Sequence, residues 1–160
     1  MEQPEVLRPD LTEMCTVART LEVVGDRWSV LILRDAFYGV RRFEDFVEDL
    51  GIARNVLTGR LNRFVDHEVM ERHLYERHPP RYEYRLTARG RDLLPVLLSL
   101  MKWGDRWTAD GDPPVRVEHR SCGHALDPIL VCGHCREDVA WRDLRVDPLP
   151  IATTRSRRGA

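Results

Sequence analysis

The chain has 160 residues, of which 42% are apolar and 32% charged, a balance typical of a globular protein and not of a disordered one. Its apolar runs, for example Val30 to Leu33 and Val96 to Leu98, fall far short of the roughly 20 residues of a membrane helix. The polar stretch from Met1 to Asp10 does not resemble a signal peptide. We therefore expect a cytoplasmic protein without membrane contact, whose four cysteines indicate metal or redox chemistry more than disulfides.

The formal net charge of −1 does not by itself favour a nucleic-acid partner, but the charges are segregated along the chain. The segment from Gly51 to Arg63 contains three arginines and no acid, whereas acids collect between Phe43 and Leu50. Lys102 is the only lysine, so nearly all the positive charge is guanidinium, which suits phosphate and guanine contacts. A local basic surface is therefore expected within a neutral chain.

Apolar residues at helical spacing predict helices in the first third of the chain. The predicted segments are Cys15 to Val24, Trp28 to Phe37, Arg42 to Leu50 and Arg54 to Asp66. The last two are short and are joined by Gly51-Ile52-Ala53, a tight break. Two short helices joined by a glycine turn of this length are typical of a helix-turn-helix.

A β-hairpin is predicted directly after these helices. Val69 to Glu76 and Arg81 to Leu86 have strand character, and His78-Pro79-Pro80 forms the turn between them, since consecutive prolines cannot extend a strand ladder. Thr87 is the predicted cap of a long following helix, which Pro95 should kink or divide. A hairpin that follows the second helix of a helix-turn-helix is a wing.

The predicted fold class is therefore mainly α with a small β-hairpin wing, a winged helix-turn-helix, followed by a short β-rich appendage that is zinc-ribbon-like. We expect an N-terminal arm over residues 1–14 and a DNA-binding and dimerisation domain over residues 15–112. A Cys/His-containing C-terminal appendage is expected over residues 115–148, and a disordered basic tail over residues 149–160.

The stretch from Cys15 through Trp107 resembles the HxlR-type regulators, a branch of the winged-helix superfamily. The residues that carry the resemblance are Cys15, Gly25 to Trp28, Leu31 to Asp35, Arg41 to Phe43, Gly51 to Leu61, Pro80 to Tyr84, Leu86-Thr87 and Gly90. The resemblance implies a dimeric DNA-binding repressor or activator without enzymatic activity.

The second helix of the helix-turn-helix is the candidate recognition helix. If Leu57, Leu61 and Phe64 face inward, a helical wheel turns a polar face outward. Asparagine pairs bidentately with adenine and arginine with guanine, and threonine reaches a phosphate or a thymine methyl. The candidate DNA-binding residues are Arg54, Asn55, Thr58, Arg60, Asn62 and Arg63 on the helix and Arg77, His78 and Arg81 on the wing.

Two alternatives remain open for these residues. The polar face can be an ordinary solvated surface, as most charge clusters are. Arg60 lies beside the apolar stripe, where an ion pair with an acid such as Asp45 is an alternative to a DNA contact.

Surplus apolar side chains on the first helix and on the long helix ending at Trp103 and Trp107 predict a homodimer. Such a dimer would read a pseudo-palindromic double-stranded operator with half-sites about 34–36 Å apart, or a multiple of that spacing. The alternative is that both tryptophans are core residues. They are also candidates to line a pocket for a small-molecule effector; DNA binding itself is expected to need no cofactor.

The cysteines suggest two further sites. His119, Cys122, Cys132 and Cys135 form two closely spaced pairs, the pattern of a structural zinc site; His124 and His134 are alternatives to His119. The competing interpretation is an appendage with reduced cysteines and no metal. Cys15, near the positive end of a helix, is a candidate redox sensor, unless it is simply buried and unreactive.

Two other function classes compete with a regulator: a small zinc-binding enzyme, and a protein-interaction module without DNA binding. The chain lacks H-E-x-x-H, G-x-S-x-G, the zinc-deaminase signature and a phosphate-binding loop. A DNA-binding regulator is therefore the favoured interpretation.

Overall fold

The computed structural model describes residues 15–108, 110–113 and 115–146. The predicted N-terminal arm and basic tail, and the last two residues of the predicted appendage, lie outside these ranges. The chain divides into two units between residues 114 and 115. The elements of the first unit are α1 (Thr16–Val24), α2 (Arg27–Tyr38), α3 (Phe43–Leu50), α4 (Arg54–Asp66), β1 (Met70–Arg77), β2 (Pro80–Leu86), α5 (Ala88–Arg91) and α6 (Leu94–Trp107).

The start of α2 and the end of α3 are set by local chemistry. The Asp26 carboxylate accepts hydrogen bonds from the amides of Trp28 and Ser29, both at 3.1 Å, and so caps α2. Gly51 ends α3 with φ of 59°, a left-handed conformation that residues with a side chain seldom adopt. The chain therefore reverses at Gly51 and enters α4 after only three residues.

An apolar core joins α2, α3, α4 and the first residue of β1. Phe46, Leu57, Leu61 and Phe64 are completely inaccessible to solvent. The full set of buried apolar residues in this cluster is Ile32, Leu33, Phe46, Ile52, Leu57, Leu61, Phe64, Val69 and Met70. Each fully buried side chain of this size contributes roughly 1.5–3 kcal/mol of transfer free energy, so this cluster fixes which face of α4 points outward.

The wing is an antiparallel pair in which Met70 lies opposite Leu86 and Arg77 opposite Pro80, with an irregularity between Leu74 and Glu76. The amide of Tyr84 donates to the carbonyl oxygen of Arg41 at 2.8 Å. Because Arg41 lies just before α3, this bond anchors the hairpin to the helix-turn-helix.

Thr87 and Pro95 shape the helical segment after the wing. The Thr87 hydroxyl oxygen accepts a hydrogen bond from the amide of Gly90 at 3.1 Å, as a cap does. The helix is divided: α5 ends at Arg91 and α6 begins at Leu94, with Pro95 in its first turn, where a missing N–H is tolerated. Nowhere in the described ranges is a helix both long enough and apolar enough to cross a membrane.

The second unit consists mainly of turns. It contains a short hairpin of β3 (Glu118–His119) and β4 (His124–Ala125), an isolated bridge between Val131 and Asp138, and a 3₁₀ turn over Trp141–Asp143. None of residues 115–146 is buried. Apolar burial therefore contributes little to holding this unit together.

Candidate nucleic-acid interface

The outer face of α4 is polar and open to solvent. Leu57, Leu61 and Phe64 point into the core, whereas Asn55, Thr58, Gly59 and Asn62 are exposed. A Cβ added at Gly59 would meet no atom within 4 Å, so the packing of the free protein does not require glycine there. The face is thus free of intramolecular packing demands, as a binding surface must be.

Arg54 begins α4 and is paired with Glu44 in the first turn of α3. Arg54 Nη1 donates to Glu44 Oε1 at 2.8 Å, and Nη2 donates to the second carboxylate oxygen. The hydrogen bond from Arg54 holds the pKa of Glu44 below its ordinary value, and the same bond raises the pKa of Arg54. Both side chains are exposed, so a DNA phosphate could replace Glu44 as the partner of Arg54.

Arg60 is engaged inside the protein, with Asp26 and not with Asp45. Arg60 Nε lies 3.2 Å from Asp26 Oδ1, the carboxylate that caps α2. Burial raises the pKa of Asp26, but hydrogen bonds from the Ser29 hydroxyl and amide, the charge of Arg60 and the Trp28 amide outweigh it, so the pKa lies below its ordinary value. Arg60 therefore ties α4 to α2, whatever it does toward DNA.

Arg63 lies on the border of the exposed face. Its side chain is half-buried, and its Nε atom is buried without a hydrogen-bond partner. An unsatisfied buried donor costs on the order of 1–3 kcal/mol. Asn62, the preceding residue, is exposed.

The wing presents guanidinium groups at its tip and along both strands. Arg77 and His78 are exposed, and Arg81 Nε lies 3.4 Å from Glu76 Oε2. Two further arginines that the sequence analysis did not single out stack on wing tyrosines. Arg42 lies 4.8 Å from the centre of the Tyr75 ring, and Arg72 lies 5.5 Å from that of Tyr82. The arginines and tyrosines of the two strands were the available signal for Arg72, whereas Arg42 precedes α3 and lies outside that pattern.

A family model described as HxlR-like helix-turn-helix matches residues 23–112, more than half of the chain. The protein belongs to the HxlR-like family. An uncharacterized HTH-type transcriptional regulator of Mycobacterium tuberculosis, Rv3095, is 44% identical over 136 residues, which are 84% of this chain and 86% of the relative. Since the first unit has 114 residues, this match extends into the second unit.

Solved structures of other proteins are similar to this HxlR-like chain. The crystal structure of PA1607, a candidate transcription factor, gives a TM-score of 0.76 at 37% identity and covers 88% of this chain and 99% of that one. The redox regulator HypR in its reduced form gives a TM-score of 0.53 at 32% identity, over 56% of this chain and 90% of its own. Together with the family match, these neighbours confirm the winged helix-turn-helix fold and make the protein a transcriptional regulator of the helix-turn-helix type.

The HxlR-like domain leaves apolar side chains exposed on α1 and α6. Trp103 and Trp107 are 61% and 64% exposed, so they are not core residues of a single chain. A groove of about 370 Å³ separates the two helices, and its apolar lining includes Val17, Leu21 and Leu100. Neither tryptophan lines this groove, and their role toward an effector stays a prediction.

The cysteines of the HxlR-like chain lie in three places. Cys15 is half-exposed and directly precedes α1. Cys122 Sγ lies 3.4 Å from His119 Nδ1. The amides of Cys135 and His134 and the thiol of Cys135 donate to the Cys132 sulfur, and these bonds hold the pKa of the Cys132 thiol below its ordinary value. Within the described ranges no three His, Cys, Asp or Glu side chains gather closely enough to hold a metal ion.

Proposed function

We propose that this regulator is a homodimeric repressor that reads a pseudo-palindromic operator with the exposed face of α4. The observation that carries the proposal is the division of α4 into two faces. Leu57, Leu61 and Phe64 are fully buried against the rest of the helix-turn-helix, whereas Asn55 and Asn62 are exposed. A recognition helix needs both faces, one to fix its orientation and one to contact base edges.

The chemistry of the exposed face suits the major groove. Asn55 and Asn62 offer amide groups that pair bidentately with adenine. The Thr58 hydroxyl donates to the Arg54 carbonyl oxygen at 2.8 Å, so its methyl group is available to a thymine methyl, whereas a phosphate contact requires the hydroxyl to turn away from that carbonyl. Gly59 carries no side chain, which permits a close approach of the helix to the DNA. In this proposal the wing residues Arg77, His78 and Arg81 contact the phosphate backbone of the DNA.

Binding should depend strongly on salt because the positive charge that reaches phosphate is local. Each phosphate neutralised by a guanidinium releases condensed counterions, which gives a linear fall of log affinity with log salt. Arg63→Ala should therefore reduce the slope by about one unit and weaken binding to all sequences. Arg142→Ala, an exposed arginine of the second unit, is the matched control.

Fluorescence anisotropy with a duplex from the promoter region of the protein's own gene tests the proposal. Asn55→Ala with Asn62→Ala should abolish the preference for this duplex over a scrambled one, while the weaker sequence-independent binding survives. Equal affinity of the wild type for both duplexes, with no salt dependence, would contradict DNA recognition and favour an interaction module.

The dimer is proposed to form through α1 and α6. No residue of α6 is buried, although the helix carries Val96 and Leu100 at 50% and 52% exposure besides its two tryptophans. On α1, Val17 is 64% and Leu21 52% exposed. A contiguous apolar surface of this kind on a small domain marks an interface. A two-fold dimer pairs the same surface of both subunits, so the α1–α6 groove of one chain would pack against that of a second chain.

Sedimentation at micromolar concentration tests the dimer. Leu21→Glu with Leu100→Glu should give a monomer. Tyr38→Glu, at a side chain of the same 52% exposure at the end of α2, should leave the dimer intact. A monomeric wild type would refute the dimer.

Release from the operator is proposed to follow ligand binding or oxidation of Cys15. HypR, to which this chain is similar, is named a redox regulator, and Cys15 lies beside the proposed dimer helix α1. A peroxide would convert the Cys15 thiol to a sulfenic acid with release of water. Cys15→Ser should bind the operator normally but resist release by peroxide; unchanged release would exclude this cysteine.

A further inference from the structure

The second unit contains two hairpins of the same design, shifted by 13 residues. In the first, the Leu126 amide donates to the Val117 carbonyl oxygen at 2.7 Å, and in the second the Val139 amide donates to the Leu130 carbonyl oxygen at 2.9 Å. The next pair inward also corresponds, since Glu118 pairs with Ala125 and Val131 with Asp138. Adding 13 to each number of the first hairpin gives the second.

The turns inside the two hairpins match as well. The Gly123 amide donates to the His119 carbonyl oxygen at 2.8 Å, and the Arg136 amide donates to that of Cys132 at 2.9 Å. Gly123 has φ of 70° and Arg136 has φ of 65°. Both turns therefore place a residue with left-handed backbone conformation at the same position, although in the second turn that residue is an arginine. The two turns share one backbone conformation.

The shift of 13 residues also pairs the metal-binding side chains. His119 corresponds to Cys132, and Cys122 corresponds to Cys135, so each turn carries a candidate ligand at its first and fourth positions. The two other histidines fall elsewhere: His134 corresponds to Ser121, and His124 Nδ1 lies 2.8 Å from the Cys122 carbonyl oxygen. The repeat thus selects His119 over both alternatives.

Within the first turn the donor atoms are spaced as zinc requires. His119 Nδ1 and Cys122 Sγ are 3.4 Å apart. Two ligands of one tetrahedral zinc, with Zn–N of about 2.0–2.1 Å and Zn–S of about 2.3 Å, are separated by about 3.5 Å.

We propose that the two turns are the halves of one structural zinc site with the ligands His119, Cys122, Cys132 and Cys135. The described residues hold the donors as two separate pairs, and a single tetrahedral ion would bring the pairs together across the linking residues 127–129. Three thiolates and one imidazole select zinc among the common divalent ions. With four protein ligands the ion has no open position for catalysis.

The unit has a physical need for such an ion. None of residues 115–146 is buried, and small units that bury so little usually need a metal, disulfides or a partner to fold. Zinc binding to preformed turns would supply folding free energy that the missing core does not. The match to Rv3095 extends beyond the first unit, so the second unit is not a stray extension.

Metal analysis of the full chain, purified reduced and without chelator, tests the proposal. We expect one zinc ion per chain, and a cobalt-substituted protein with the intense visible bands of a tetrahedral thiolate site. His119→Ala, Cys122→Ser, Cys132→Ser and Cys135→Ser should each lose the ion. His124→Ala and His134→Ala are the matched controls and should keep it.

Limited proteolysis supplies a second readout that does not depend on variants that fail to fold. A chelator should expose residues 115–146 to cleavage while residues 15–108 stay protected and DNA binding by the first unit persists. A wild type that takes up neither zinc nor cobalt overturns the proposal. So does one ion per two chains that depends only on Cys132 and Cys135.

Discussion

The two units of this protein use opposite means to display polar side chains. In the winged helix, residues such as Phe46 and Phe64 are completely buried, and this core holds α4 so firmly that its outer face can be given over to Asn55 and Asn62. In residues 115–146 no side chain is buried, and the candidate histidine and cysteine ligands lie on the turns of the two hairpins. Where a core exists, function can be separated from stability; where none exists, the same side chains must serve both.

The largest expected effect tests whether burial distinguishes the units as strongly as the structure indicates. Leu61→Ala should lower the free energy of unfolding by about 2–5 kcal/mol, because Leu61 is fully buried and truncation leaves a cavity. Leu130→Ala, at a side chain 71% exposed in the second unit, should change it by less than about 0.5 kcal/mol. Urea denaturation followed by far-UV circular dichroism compares them, and equal losses would break the comparison.

The separation of function from stability in the first unit is tested on its exposed face. Asn62→Ala should weaken operator binding by about 1–3 kcal/mol, the value of a bidentate base contact, which is roughly a 5- to 150-fold rise in Kd. Its unfolding free energy should stay within about 0.5 kcal/mol of wild type. Anisotropy and denaturation measure the two. A large loss of stability would mean that Asn62 serves the fold.

The ion pair between Asp26 and Arg60 adds a polar contribution to the stability of the first unit, besides its apolar core. The pKa of Asp26 lies below its ordinary value in the folded protein, so its ionised form stabilises the fold at pH values above the ordinary aspartate pKa of about 3.9. This contribution is lost as the pH falls through the lowered pKa.

Asp26→Asn keeps a capping side chain but removes the charge. Its deficit in unfolding free energy should be constant at neutral pH and should shrink as the pH falls below about 4. Denaturation curves at a series of pH values measure it. In an Arg60→Ala background the pH dependence should be weaker; a deficit that grows in acid would contradict the assignment.

The smallest effect concerns Gly59, where stability and binding should move in opposite directions. Gly59→Ala should stabilise α4 by up to about 1 kcal/mol, because a Cβ there meets nothing in the free protein. If α4 approaches DNA closely, the same methyl group should weaken operator binding. Gly104→Ala on α6, where the added Cβ would meet only the Thr108 hydroxyl at 3.6 Å, controls for helix propensity. Improved stability with unchanged affinity would argue against a close approach at Gly59.

Much of the first unit could be predicted from local patterns in the sequence. The spacing of Leu57, Leu61 and Phe64 defined the inner face of α4, the glycine at position 51 marked the turn, and Thr87 and Pro95 marked a cap and a division of the helix. These signals are local because helix period, turn conformation and capping depend on neighbouring residues.

Contacts between distant segments could not be predicted in this way. The sequence suggested Asp45 as an ion-pair partner for Arg60, but packing of α2 against α4 brings Asp26 there instead. The shared design of the two hairpins in the second unit was also hidden, because only Cys122 and Cys135 are identical between them. The repeat is visible in the backbone hydrogen bonds but not in the side-chain identities.

The sequence alone therefore determined the winged helix-turn-helix and the family resemblance, and it supplied the residues proposed to read DNA, because helix period and turn conformation depend on neighbouring residues. Only the tertiary structure decided which of those residues are already engaged, as Arg54 is with Glu44 and Arg60 with Asp26. It also decided that no residue of α6 is fully buried. These outcomes depend on which elements pack together, and that is settled by the core as a whole.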